Sequence, residues 1–201
     1  SYEHLIFTTP DCCPASTHWL EKMSQHFVNQ TKIVLGYSTY EKKNSPYSRL
    51  LHFDNLFNAI QYFSYSMINA TYRGDIKNMA YTKSLFNAQK GFASHNHIRY
   101  GEEDIFISRA ANKNNCAIEF SPESFTILQH RPQAKYWRDH KEGLYYTRQF
   151  YSFKKRFLLN NYAFVNLLFY VAVVFAILLT LHNITYLSIT LGIIFVRLLS
   201  Q

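Results

Sequence analysis

The chain has 201 residues, a net charge of +8 and three cysteines. That length holds one soluble domain beside a hydrophobic C-terminal region. Adjacent Cys12 and Cys13 with a distant Cys116 exclude a disulfide framework and a CxxC zinc site, and point to reduced thiols.

In chain order, His4–Thr8 reads as a short buried strand, followed by a polar, kinked segment from Thr9 to Pro14. Trp19, Leu20, Met23 and Phe27 recur at helical spacing, with Ser16 or Thr17 as the N-cap. Lys32–Tyr40 reads as one strand, and Lys42–Pro46 as a charged, turn-rich break. The strongest helical signal is Leu50–Met67. There Leu50, Phe53, Leu56, Phe57, Ile60, Phe63 and Met67 form one apolar stripe, which predicts a core-facing helix. Asn78–Tyr81 reads as a short strand or extended loop, Thr82–Ala88 and Asp104–Ala111 as helices, and Cys116–Phe120 as a strand closed by Pro122. This alternation predicts an α/β sandwich with a partly parallel sheet. Ligands bind such sheets at the carboxyl ends of the strands, where Asp11 stands.

From Phe157 through Leu181 the chain carries no charge. A helix needs about 20 such residues to cross the hydrocarbon core of a bilayer. Lys154-Lys155-Arg156 directly precede the run, and basic flanks favour the cytoplasmic side, so residues 1–150 are expected as a cytoplasmic domain at the cell membrane. A second apolar stretch, Ile184–Leu199, follows the polar His182-Asn183 turn. It contains Arg197 near its end, where the side chain would snorkel to the headgroups. The expectation for residues 151–201 is a transmembrane helical hairpin, a multi-pass arrangement with helices near 157–181 and 184–199. Arg131, Lys135, Arg138, Lys141 and Arg148 extend the basic segment upstream and suit anionic membrane lipids. Nucleic acid is not an expected partner, since basic charge alone is unspecific.

Two acidic positions could carry chemistry. Asp11, after the first strand, can hold a hard divalent cation that bridges phosphate oxygens; it also suits a turn or a helix start. Glu102-Glu103-Asp104 place three carboxylates in a row. Their repulsion in a partly buried cleft raises at least one pKa, making a base for a hydroxyl proton. The same acids also suit the first turn of a helix.

Taken in order, Phe7-Thr8-Thr9-Pro10-Asp11-Cys12-Cys13-Pro14-Ala15-Ser16, Gly74-Asp75-Ile76-Lys77-Asn78-Met79-Ala80-Tyr81, Gly91-Phe92 and Gly101-Glu102-Glu103-Asp104-Ile105-Phe106 resemble the family-two glycosyltransferases. The likeness is to their bacterial membrane-anchored members. It covers nearly the whole chain, including the C-terminal helices. The resemblance implies a partial GT-A fold and an inverting enzyme that takes a sugar from a nucleotide-diphosphate donor to a glycan or lipid-linked acceptor. The family's nucleotide-gripping half would precede Ser1.

Residue by residue, the resemblance implies that Asp11 reaches the metal, Mg²⁺ or Mn²⁺, with Thr9 in the place of the family's first carboxylate. Asp104 is the implied catalytic base, or Glu103 if the register is one off. Gly74, Lys77 and Asn78 match the loop near the substrates, with Ile76 in place of a glycine. Trp137 and Arg138 fall on the basic segment before the membrane. There Trp137 would stack on the acceptor, or would anchor an interfacial helix. The altered positions leave an alternative: a non-catalytic, membrane-anchored relative acting as a binding or scaffold protein.

Overall fold

The computed structural model describes residues 2–42, 44–93, 98, 101–129, 134–180 and 184–199. Arg131 of the basic segment, the His182-Asn183 turn and the side chain of Glu102 lie outside the described residues. The chain divides into two compact units, Ser1–Tyr151 and Ser152–Gln201.

The first unit is α/β with two mixed sheets. Strands β1 (His4–Phe7), β5 (Met79–Thr82), β3 (Ile33–Leu35) and β6 (Cys116–Ile118) form one sheet in the order β1-β5-β3-β6. Only β3 and β6 run parallel in it; β5 is antiparallel to both β1 and β3. A second sheet has the order β2 (Cys12–Pro14), β7 (Thr126–Leu128), β4 (Ser38–Tyr40), with β4 and β7 parallel. The helices of this unit are α1 (Trp19–Ser24), α2 (Pro46–Met67), α3 (Lys83–Ala88), α4 (Glu102–Ala110) and α5 (Ala134–Arg148).

Alternation along the strands sends successive side chains to opposite faces of the larger sheet. Val34 and Ala80, paired in register, pack with Trp19 and Met23 of α1, and with Ile6 and Phe27 beside them. Their neighbours Ile33, Leu35, Met79 and Tyr81 point the other way and are fully buried or nearly so. On that side Tyr81 stacks with Phe86 of α3 and meets Phe106 of α4, with ring centroids 5.7 and 4.9 Å apart. The sheet is therefore covered on both faces, which the short β-branched runs require.

Three features differ from the sequence expectation. Lys32–Tyr40 is not one strand: it breaks at Gly36-Tyr37, and its halves enter different sheets. The cause is Asn78, whose carbonyl accepts the Gly36 N–H at 2.9 Å and whose side-chain amide donates to the Tyr37 carbonyl at 2.8 Å. A Cβ on residue 36 would lie 2.6 Å from Asn78 Cγ, so only glycine lets the two segments meet. Secondly, the kinked segment after β1 contains strand β2, formed by Cys-Cys-Pro against β7.

The third difference concerns α2. It starts earlier than expected, at Pro46, because the Ser45 hydroxyl accepts the Ser48 N–H at 3.1 Å and proline suits the first helical position. Its stripe does not face the core. Leu50, Phe53, Leu56, Phe57, Ile60 and Met67 are all exposed, and only Phe63 of the expected stripe is buried. The inward face carries Ser48, Leu51, Ala59, Tyr62, Phe63 and Ser66. It is tied down by hydrogen bonds: Asn55 Nδ2 donates to the Ser38 carbonyl at 2.6 Å, and Tyr62 Oη to the Gly36 carbonyl at 2.8 Å.

The second unit consists of α6 (Phe153–Thr180) and α7 (Ile184–Leu199). Phe153–Leu179 is long and apolar enough to cross a membrane, with mean hydropathy 2.5 over its most apolar window. It starts upstream of the charge-free run and takes Lys154, Lys155 and Arg156 into its first turn. The apolar part of α7, Ser188–Arg197, is shorter. Arg197 Nη2 donates to Asn166 Oδ1 of α6 at 2.7 Å, and its guanidinium lies 5.5 Å from the Phe169 ring centre. A polar partner on the neighbouring helix thus takes up one of the guanidinium's donors.

Candidate active site

Segment 69–78, between α2 and β5, has no regular secondary structure and is largely buried. Its backbone passes close to the sheet at Gly74, where an added Cβ would meet Met79 Sδ at 3.1 Å and Leu35 Cδ2 at 3.2 Å. Helix α4 begins at the next wall. Its cap, Gly101, has φ +73°, and a Cβ there would lie 2.5 Å from Thr147 Oγ1 of α5. Both the left-handed backbone and the close approach of α5 require glycine.

These elements enclose a cavity of about 320 Å³. Segment 9–11 after β1 contributes Thr9 and Asp11; the segment before β5 contributes Arg73 through Lys77; the start of α4 contributes Gly101, Glu103 and Asp104. Helix α5 closes it with Asp139, His140, Gly143, Leu144 and Thr147, which share one face of the helix at spacings of three and four. Another face of α5 is fixed to α2. Trp137 Nε1 donates to Asp54 Oδ2 at 3.0 Å, and Lys141 Nζ to Asp54 Oδ1 at 2.6 Å.

Two ion pairs order the cavity wall. Arg73 Nε lies 3.6 Å from Asp104 Oδ1, and Lys77 Nζ 3.4 Å from Asp75 Oδ1. Asp75 also accepts the Ser38 hydroxyl and, at 3.1 Å, the Lys77 backbone N–H. Burial opposes its charge, but Lys77, Ser38 and Arg73 outweigh burial and hold its pKa at about 2. Asp104 is the opposite case. Burial dominates, Glu103 and Asp75 repel a second negative charge, and Arg73 with a hydrogen bond from the Gly74 backbone compensates only in part. Its pKa stands at about 6. Burial alone would favour loss of the Arg73 proton, yet Asp104 and the neighbouring acids hold that cation firmly charged. His140 is kept neutral, with its pKa pushed down to about 3 by burial and by the fields of Arg73 and Lys77.

The structure brings Asp11, Gly74, Lys77, Glu103 and Asp104 together on one cavity, although Asp11 and Asp104 are far apart in the sequence. Three other positions stand outside that lining. Asn78 is fully buried, and its side chain is spent on the fold: Oδ1 accepts Trp19 Nε1 at 3.0 Å, and Nδ2 donates to the carbonyls of Tyr37 and Ser124 at 2.8 and 2.7 Å. Trp137 clamps α5 to α2 through Asp54, and Arg138 is exposed to solvent. Sequence reasoning missed Arg73, Asp75, Asp139 and His140 as cavity residues. The helical spacing of Asp139, His140, Gly143 and Thr147 was a signal available for the α5 face. Arg73 sits in a segment without periodicity and gave none.

As chemistry, the cavity offers a carboxylate that is ionised at neutral pH but still basic enough to take a proton. Five carboxylates face two cations in the lining. A bare diphosphate would be repelled there, whereas one carrying a divalent cation would not. Asp75 and Asp104 are already paired, which leaves Asp11, Glu103 and Asp139 as the lining carboxylates outside those two ion pairs. Among the described residues no group of three His, Cys, Asp or Glu side chains is clustered to hold a metal ion by itself. An ion there would therefore need further ligands from a bound molecule or water.

No protein-family model and no curated protein matches this chain.

Proposed function

We propose that the protein is an inverting glycosyltransferase of the GT-A type, moving a sugar from a nucleotide-diphosphate donor to an acceptor hydroxyl at the cytoplasmic face of a membrane. One observation carries the reading: Asp11 and Asp104, 93 residues apart in the sequence, line a single cavity, and Asp104 combines burial with a pKa of about 6. The resemblance of the ordered motifs to family-two glycosyltransferases supplies the reaction class.

In this reading Asp11 contributes one ligand to Mg²⁺ or Mn²⁺, which when bound stabilises charge on the departing diphosphate. Lys77, held by Asp75, points positive charge toward the same region. Asp104 removes the proton of the acceptor hydroxyl, whose oxygen attacks the anomeric carbon from the face opposite the leaving group. Arg73 keeps the base oriented and ionised. The neutral His140 and the Leu144 side chain line the α5 wall and limit water around the reacting atoms. The apolar helices hold this chemistry beside a lipid-linked or growing glycan acceptor, as a hairpin crossing the membrane twice.

The test is a panel of radiolabelled nucleotide-diphosphate sugars offered to the membrane-embedded protein with Mn²⁺. Release of nucleoside diphosphate together with an inverted glycosidic product is expected from at least one donor. Absence of turnover with every donor, alongside retained binding of acceptor glycolipid, favours the non-catalytic binding role that the Thr9 and Ile76 substitutions allow.

A further inference from the structure

Helix α2 is built inside out. Its polar side chains Asn55 and Tyr62 point into the protein and are hydrogen-bonded to backbone carbonyls of the β3–β4 region. His52 joins them, with Nε2 2.9 Å from the Tyr40 carbonyl. Its outward positions 50, 53, 56, 57, 60, 64, 67 and 68 are apolar in every case but Ser64. They follow the three-and-four spacing of a single helical face, about 27 Å long at 1.5 Å per residue. Phe53 is 54% exposed, Ile60 53% and Met67 75%. A continuous apolar strip of this length is not an ordinary water-facing surface.

We propose that this face of α2 lies in the headgroup–acyl boundary of the membrane that the chain enters, as a second, monotopic attachment independent of the spanning helix. Three observations favour lipid as the occupant. The chain passes from the first unit at Tyr151 into an apolar helix beginning at Phe153, so any bilayer that helix enters is tethered within reach of the domain. The only acid on α2, Asp54, is neutralised by Lys141 and is not one of the outward residues. Exposed cations outnumber exposed acids near the strip: Lys42 before α2, Arg49 in its first turn, and Lys135 and Arg138 on α5, which Trp137 and Lys141 pin beside it, against Glu41 and Glu142. Aromatic and aliphatic side chains bordered by Lys and Arg are the composition of an interfacial helix on an anionic surface.

The test places a tryptophan at Ile60 in the full chain, reconstituted into phosphatidylcholine vesicles with and without phosphatidylglycerol. Ile60→Trp is an exposed-to-exposed change; Phe57→Trp repeats it one turn away, and Lys113→Trp is the water-facing control. At about 5–10 Å depth, the probes at 60 and 57 are quenched by lipids brominated near the carbonyl end of the acyl chain. Aqueous iodide does not quench them, their emission is blue-shifted relative to the control, and the lipid quenching is stronger with phosphatidylglycerol. Lys113→Trp responds to iodide alone. Quenching of positions 57 and 60 by iodide and not by bromolipid overturns the proposal. So does shielding from both quenchers with protein-concentration-dependent cross-linking through α2, which assigns the face to a protein partner. Neither outcome bears on catalysis at Asp104, so this attachment stands or falls apart from the glycosyltransferase reading.

Discussion

Replacing Asn78 tests how the fold holds its cavity. The side chain is fully buried and joins three otherwise separate segments: Trp19 at the start of α1, Tyr37 at the break between β3 and β4, and Ser124 in the 3₁₀ turn before β7. In Asn78→Ala all three hydrogen bonds disappear. Each such bond contributes about 1 kcal/mol net, and a buried group left without its partner costs about 1–3 kcal/mol. The indole N–H and the Ser124 carbonyl are orphaned together, while the Tyr37 carbonyl keeps the Thr126 N–H at 3.3 Å, so the expected destabilisation is about 3–6 kcal/mol. That is a large share of the roughly 5–15 kcal/mol that keeps a domain folded. Asn78→Asp is the sharper variant. It keeps the acceptor for Trp19 but turns a carboxylate oxygen toward the Tyr37 and Ser124 carbonyls, so it is expected to be at least as damaging. Urea unfolding of the full chain in detergent, followed by tryptophan emission, measures both, because Trp19 is one of the three partners. A loss below about 1 kcal/mol in Asn78→Ala contradicts the reasoning, since it equals a single ordinary hydrogen bond.

Two further predictions concern the cavity itself. Gly101→Ala must adopt φ +73° and also pushes a methyl to 2.5 Å from Thr147 Oγ1, so α5 has to move away from α4. The left-handed backbone alone costs about 1–2 kcal/mol; thermal unfolding is expected to register at least that loss, and donor affinity, read by equilibrium dialysis, falls with the displaced wall. The second follows from protonation of Asp104. Its pKa of about 6 lies above the ordinary carboxylate value, so the base is ionised at pH 7 and protonated below pH 6. The rate constant kcat/KM should be level above pH 7 and fall about tenfold per pH unit well below 6; a profile flat down to pH 5 removes Asp104 from the proton transfer.

The α/β character was legible because short β-branched runs alternate with helical spacing, as at Lys32–Leu35 and Lys83–Ala88. Strand β2 was not, because Cys-Cys-Pro has no strand pattern and gains its pairing only from β7, over a hundred residues later. The division of Lys32–Tyr40 was equally hidden, for its cause is a side chain at position 78. The α2 periodicity located a helix and an apolar face correctly but not the direction of that face. Periodicity reports that one side differs from the other; which side meets protein depends on whether lipid is a solvent for the chain. At the site, Asp11 and Asp104 were legible as acids because Asp11 follows the first strand and Asp104 stands in the first turn of α4 within an acidic run. Arg73, the ion-pair partner of Asp104, comes from a loop with no pattern, and His140 was visible only as one polar residue on a mixed helix.

Asp104→Asn separates the roles proposed for Asp11 and Asp104 within one cavity. The amide keeps the size of the side chain and removes the proton acceptor. In the membrane-embedded protein with Mn²⁺, this variant is expected to bind its nucleotide-sugar donor within a few-fold of wild type while glycosidic product falls to background. Asp11→Asn, assayed beside it, loses donor binding as well. Product formation by Asp104→Asn at the wild-type rate would show that Asp104 is not the base.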